Sequence, residues 1–171
     1  MTEKNNIVLI GMPGSGKSTL GVVAAKIMGY NFIDADILIQ SHADRTLQKI
    51  IDSLGPTGFI DVENDVLCDI EADRTVIATG GSAVYSDEAM KHLSEIGTVV
   101  FLKVSLEELR VRLGGLYERG VVMKDGSSMS LDELYAEREP LYEKYAEVTL
   151  ETDGLSVRDA SRKLVDALSM M

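Results

Sequence analysis

Short apolar runs alternate with stretches of helical periodicity along this chain. Asn6-Ile7-Val8-Leu9-Ile10 is apolar throughout its last four positions and ends at Gly11, a pattern that predicts a strand buried on both faces rather than an amphipathic helix. From Ser18 to Met28, Leu20, Val23, Ala24 and Ile27 recur at helical spacing. Further apolar runs occupy Asn31–Ile33, Thr75–Ala78, Thr98–Val104 and Glu147–Leu150, with helical patterns between them. Such alternation predicts an α/β domain, a parallel sheet with helices on both faces. Ser105-Leu106-Glu107-Glu108 and Ser130-Leu131-Asp132-Glu133 have the form of capping boxes, and Ser156-Val157-Arg158-Asp159 is a weaker version, so three helix starts are expected there. Between two of them, Gly114 to Ser128 holds four glycines, several charges and no periodicity, which predicts a mobile lid over a site.

Composition narrows the function classes. A chain of 171 residues fits one domain, 1–171, and its 45% hydrophobic and 26% charged residues are ordinary for a globular protein. Its 28 acidic against 17 basic residues leave a formal charge of −11, a field that repels nucleic-acid backbones and anionic lipid. No apolar run approaches the roughly 20 residues of a membrane span, and the N-terminal residues lack a signal-peptide pattern, so a cytoplasmic protein with no membrane or nucleic-acid partner is expected. Cys68 is the only cysteine, which excludes an internal disulfide and a thiolate metal cage; it reads as a buried helix residue. His42 and His92 read as helix-surface residues and the scattered methionines as core or tail filler.

Gly11-Met12-Pro13-Gly14-Ser15-Gly16-Lys17-Ser18 satisfies G-x-x-x-x-G-K-[ST] directly after a strand and before a helix. Glycines let successive backbone N–H groups turn inward, and the helix N-terminus adds its positive end, which together cradle a triphosphate. In that frame Gly14, Ser15 and Gly16 line the cradle, Lys17 reaches the β- and γ-phosphates, Ser18 ligates Mg2+, and Thr19 touches the α-phosphate. ATP and Mg2+ are thus the expected cofactors. Asp34 and Asp36, two apart at the end of the second apolar run, stand where open α/β sheets place their ligand crevice; the alternative is an N-cap for a helix beginning near Ile37.

With these residues in order, the sequence resembles the shikimate kinases over nearly its whole length. The resemblance rests on the phosphate loop, Asp34-Ala35-Asp36, Gly80-Gly81 after the third strand, Gly114-Gly115 followed by Arg119, and Arg138-Glu139-Pro140-Leu141-Tyr142. It implies a P-loop three-layer sandwich with a five-stranded parallel sheet, an acceptor-binding helical segment at about 34–66, and a closing lid at about 114–128. It further implies Asp34 in the magnesium-water shell and Asp36 on the acceptor hydroxyl. Gly80 and Gly81 would bring backbone close to the acceptor, and Arg138 would grip its carboxylate. Arg119 would swing in with the lid, and Arg112 would lie against adenine; the residue-level alternative for Arg112 is a helix pair with Glu108.

Two departures bear on the acceptor. The family's Phe-Arg-x-x-Glu segment reads Phe59-Ile60-Asp61-Val62-Glu63 here, and Ser82 follows Gly80-Gly81 where the family has a third glycine. Loss of one Arg–carboxylate contact weakens binding by about 10- to 100-fold; Ser82 either narrows the pocket or supplies a hydrogen bond. Thr152-Asp153-Gly154-Leu155 lacks the proline common on the adenine side, although Leu155 suits packing on a base. Three readings follow: a small-molecule kinase acting on shikimate, with Arg45 or Arg74 entering the pocket from elsewhere; a kinase for another small hydroxylated acid or amino acid such as homoserine; and a nucleotide-binding sensor without catalysis.

Overall fold

The computed structural model describes residues 4–114, 121–122 and 128–170. Strands β1 (Asn6–Ile10), β2 (Asn31–Asp34), β3 (Thr75–Ala78), β4 (Gly97–Lys103) and β7 (Val148–Glu151) form one sheet in the order β2-β3-β1-β4-β7, and every pairing is parallel. Helices α1 (Lys17–Met28), α2 (Ala35–Ala43), α3 (Leu47–Cys68), α4 (Asp87–Ile96), α5 (Leu106–Leu113), α6 (Leu131–Tyr145) and α7 (Val157–Ser169) connect or flank them. A two-residue antiparallel pair, β5 (Val121–Val122) with β6 (Ser128–Met129), precedes α6. The five apolar runs are the five strands of the main sheet, within one residue at each end.

Continuous apolarity in β1 reflects burial on both faces. Val8 and Ile10 pack with Leu67, Met90, Leu93, Leu109 and Tyr142 on one side. Ile7 and Leu9, alternating with them, pack with Leu20, Ala24, Ala160 and Leu164 of α1 and α7 on the other. A smaller cluster, Ile39, Ile50 and Val66, ties α2 to α3. Burying a side chain of this size contributes about 1.5–3 kcal/mol, so the two-sided core holds the sheet centre firmly beneath whatever its carboxyl edge carries.

Capping residues end up as the sequence patterns predict, with one difference. Ser130 and Glu133 form the full reciprocal box at α6, and Ser156 caps α7. At α5 Ser105 accepts from Glu108 N–H, but the return bond is missing: Ser105 N–H donates to Asp153 Oδ1 at 2.9 Å and Glu108 pairs with Arg112. α3 is broken at Gly55 (φ 71°, ψ 177°), followed by Pro56. Proline lacks the N–H for the preceding turn and fits the first turn of the resumed helix. Cys68 is half-buried at the end of α3 rather than fully buried, its Sγ 3.7 Å from Asn64 Oδ1. His92 is likewise half-buried, with Nε2 2.9 Å from Ile70 O, whereas His42 is exposed. Met12 and Met90 lie in the core. Most of the expected lid, including Gly115 and Arg119, lies outside the described residues. Among the described residues no helix is long and apolar enough to cross a membrane.

Candidate active site

Parallel strands deliver their following loops to one edge of the sheet; from β1 the chain crosses past β3 to β2 on one side, and from β3 it crosses past β1 to β4 on the other, so the connections diverge between β1 and β3. The loop after β1 carries the phosphate motif, β2 ends in Asp34, and β3 is followed by Thr79-Gly80-Gly81-Ser82. Three separate stretches of sequence therefore converge on one crevice.

The phosphate loop takes the backbone shape its glycines permit. Gly14 (φ 79°) and Gly16 (φ 90°) are left-handed, a conformation side chains with a Cβ rarely adopt, and a Cβ on Gly14 would stand 2.6 Å from Leu113 Cδ2. Gly16 is the N-cap of α1 and makes no side-chain cap bond, so the first-turn N–H groups of α1 open toward the loop. Lys17 is buried and its Nζ donates to Gly11 O (2.7 Å), Met12 O (2.9 Å) and Ser15 Oγ (3.4 Å). Burial lowers its ammonium to about 8, against the raising effect of Asp36.

Asp34 does two jobs. Its Oδ1 caps α2, accepting from Asp36 N–H (3.0 Å) and Ile37 N–H (3.4 Å), while Oδ2 accepts from Ser18 Oγ at 2.6 Å. The N-cap reading therefore holds for Asp34, with α2 starting at Ala35 rather than near Ile37, and the cap frees Asp36 to line the crevice. Burial, then the neighbouring Asp34, raises the Asp36 carboxyl above its ordinary range. Ser18 and Asp34 together offer hard oxygen donors beside a phosphate cradle, a donor set that fits Mg2+ held by one or two protein groups and substrate phosphates.

A cavity of about 560 Å3 runs from the loop to the helical segment. One wall holds Gly14, Lys17, Ser18 and Thr19; another holds Asp36, Gly80, Gly81, Ser82, Tyr85 and Arg138. The α3 break brings Leu47 and Ile51 from before Gly55, and Phe59 and Ile60 from after it, to the same apolar side. Arg138 is 3% exposed; its Nε donates to Tyr85 Oη at 3.1 Å, its guanidinium lies over the Tyr85 ring at 5.1 Å, and Tyr85 in turn donates to Glu137 Oε1 at 2.6 Å. Tyr142 donates to Gly81 O at 2.8 Å and stacks on Phe101, tying this wall to the core. Neither Arg45 nor Arg74 lines this cavity: Arg74 lies over Tyr30 at 5.3 Å, and Arg45 lines a separate surface hollow with Lys49 and Asp52. Asp61 is exposed and faces another hollow with Asn64 and Glu88.

A second cavity of about 460 Å3 shares Gly14, Gly16 and Thr19 with the first and is lined by Arg112, Thr152 and Leu155. Arg112 makes the helix pair with Glu108, Nε to Oε1 at 3.0 Å, and also reaches Ser15 O at 3.4 Å while lining this space. The residue that sequence reasoning passed over is Glu63. Although noted beside Ile60, it gave no sign that its carboxyl is 1% exposed and bonded to Ser82 Oγ at 2.6 Å. Its burial is visible only once α3 packs against the loop after β3.

Comparison with known proteins agrees with this layout. A family model described as shikimate kinase matches residues 13–169. The chain belongs to the shikimate kinase family. Relatives in that family include the shikimate kinases of Francisella tularensis subsp. novicida and Francisella philomiragia, each 37% identical over 166 residues, 96% of this chain and 94% of the relative. Among solved structures, shikimate kinase from Acinetobacter baumannii in complex with shikimate superposes with a TM-score of 0.85 at 28% identity, covering 99% of this chain and 95% of that one. Shikimate kinase from Bacteroides thetaiotaomicron gives 0.81 at 27%, covering 96% and 98%. As a member of the family, the protein is a small-molecule kinase that transfers a phosphoryl group from ATP, with Mg2+, to an alcohol group. The sensor reading is not favoured.

Proposed function

We propose that the acceptor is shikimate and that the cavity between α2, α3 and the loop after β3 receives it. The observation that carries the reading is the juxtaposition of Asp36 and buried Arg138 across the Gly80–Ser82 backbone, in one cavity with Lys17. A carboxylate for the hydroxyl and an arginine for the carboxyl suit a hydroxylated acid. The Acinetobacter relative carries shikimate by its description. Homoserine loses the electrostatic argument from Asp61, which faces away from the cavity. The helical segment at about 34–66 is the acceptor-binding part of a single kinase domain, 1–171, and the protein works in the cytoplasm, where ATP and Mg2+ are abundant.

Phosphoryl transfer depends on positioning and on neutralising developing charge. The acceptor hydroxyl oxygen bonds to the γ-phosphorus as the bond to the departing ADP oxygen breaks, and Asp36 takes the hydroxyl proton. The raised affinity of Asp36 for a proton favours that step. Lys17 turns from its own loop carbonyls to the β- and γ-phosphate oxygens, regaining charge stabilisation that burial had removed. Gly80 and Gly81 present backbone to the acceptor, Ser82 flanks it, and Arg138 pairs with its carboxylate. Gly14, Ser15, Gly16, Thr19 and Arg112 hold the nucleotide. Ser18 would ligate Mg2+ directly and Asp34 through water; the ion, when bound, screens the phosphate charges. Arg119, outside the described residues, is assigned charge neutralisation from the lid on the resemblance alone.

Coupled ADP release with ATP and Mg2+ against shikimate, homoserine and sugar acids tests the reading, with Lys17→Ala as control. Shikimate turnover at low-millimolar KM or better is expected; turnover of another acceptor with shikimate silent would overturn it.

A further inference from the structure

The two positions at which this chain departs from its family's acceptor pattern, Ile60 and Ser82, converge in the folded protein on one carboxyl group. Glu63 follows Ile60 by one helical turn on α3, so the two share a helix face. Ser82 Oγ donates to Glu63 Oε2 at 2.6 Å, while Oε1 is buried without a hydrogen-bond partner among the described residues. Oε1 is directed at the α-carbon of Gly80: a Cβ there would stand 2.7 Å from it and 3.1 Å from Asp36 Oδ1. Gly80, Gly81 and Ser82 line the acceptor cavity, whereas Glu63 does not. The carboxyl thus lies against the same stretch of backbone that borders the acceptor cavity.

A buried carboxyl without a directly bound cation is costly. The charged groups that face Glu63 are Lys17, Arg138 and Asp36. Lys17 Nζ is bonded to Gly11 O and Met12 O, and Arg138 Nε to Tyr85. A cation at position 60 would stand one turn away, and isoleucine stands there instead. Ser82 Oγ is the donor found on the Glu63 carboxyl among the described residues.

We propose that Ile60 and Ser82 are a compensating pair: Ser82 is a positioning residue that holds the Glu63 carboxyl against Gly80 in place of a cation at position 60, and so sets the wall on which the acceptor lies. The acceptor's own carboxylate is then left to Arg138 alone. This rests on the shikimate reading above for its kinetic test.

The experiment compares wild type with Ser82→Ala, Ser82→Thr, Ile60→Arg and Ile60→Arg/Ser82→Ala, measuring kcat and KM separately for shikimate and ATP. Losing the hydroxyl should raise the shikimate KM about tenfold, with the ATP KM unchanged, and threonine should restore it to within about twofold. Ile60→Arg should recover most of that loss in the Ser82→Ala background and give at least about fivefold less benefit when Ser82 is present. A Ser82→Ala variant indistinguishable from wild type, effects that simply multiply, or threonine no better than alanine would overturn the pairing. Should the arginine variants not fold, a cycle with Glu63→Met, which removes the carboxyl at similar volume, decides: Ser82→Ala should then have no further effect, and an undiminished effect would overturn it. Wild-type silence with shikimate would instead sink the acceptor reading, and the same Glu63→Met cycle read by urea midpoint would still decide the pairing.

Discussion

The two halves of the crevice are built by different means. The nucleotide half is made chiefly of backbone: left-handed Gly14 and Gly16, the open first turn of α1, and the deeply buried Lys17 beside them. The half proposed for the acceptor relies, beside the Gly80–Gly81 backbone, on side chains from α2, α3, the loop after β3 and α6: Asp36, Ile60, Ser82 and Arg138 line it and Glu63 stands against it. A backbone cradle depends on a local motif and keeps its pattern, whereas a side-chain pocket can exchange partners as long as each buried polar group finds another. Arginine absent at position 60 and serine present at 82, meeting at Glu63, are an instance.

Substitutions that strike one half and spare the other sharpen this contrast. The largest effect is expected from Lys17→Ala, which should lower kcat/KM by about 1,000-fold or more, since neutralisation of phosphate charge is the main source of catalysis here; steady-state rates with both substrates varied check it. Asp36→Asn should lower kcat by about 100- to 10,000-fold, the range for loss of a general base, while fluorescent ATP-analogue binding stays near wild type; a parallel loss of nucleotide binding would break the separation. Arg138→Met should raise the acceptor KM by about 10- to 100-fold and leave the ATP KM within a few-fold.

A further effect, read on stability rather than on turnover, concerns pH. Burial lifts the Glu63 carboxyl from 4.5 to about 7, against the lowering effect of its Ser82 hydrogen bond. The folded state then holds a proton that the unfolded state releases between those values, so this group makes the protein less stable as pH rises through that window, by on the order of 3 kcal/mol in all. Urea unfolding at pH 5 and pH 8 should show wild type losing stability on this account and Glu63→Gln losing distinctly less; equal slopes would mean that Glu63 ionises freely in the fold.

Much of this was legible before folding. Apolar runs of three to seven residues marked all five sheet strands because a parallel sheet buries both faces, and Ser105, Ser130 and Ser156 marked helix starts because each caps its own first turn. The phosphate loop was legible for the same reason, since its chemistry lies within eight consecutive residues. What lay between distant segments was not legible. The break at Gly55-Pro56 that turns Leu47, Ile51, Phe59 and Ile60 toward one cavity left no periodic signature, and Asp34 proved to be both cap and partner of Ser18.

By itself the sequence determined the strand–loop–helix order, the phosphate cradle and the family, because each rests on residues adjacent in the chain or on their order along it. Only the tertiary structure decided that Arg45, Arg74 and Asp61 stay out of the acceptor cavity, that Arg138 is buried against Tyr85, and that Ser82 closes on Glu63. Those outcomes depend on burial and on contacts between segments 19 to 53 residues apart, where the cost of leaving a charge unpaired, rather than any local propensity, selects the partner.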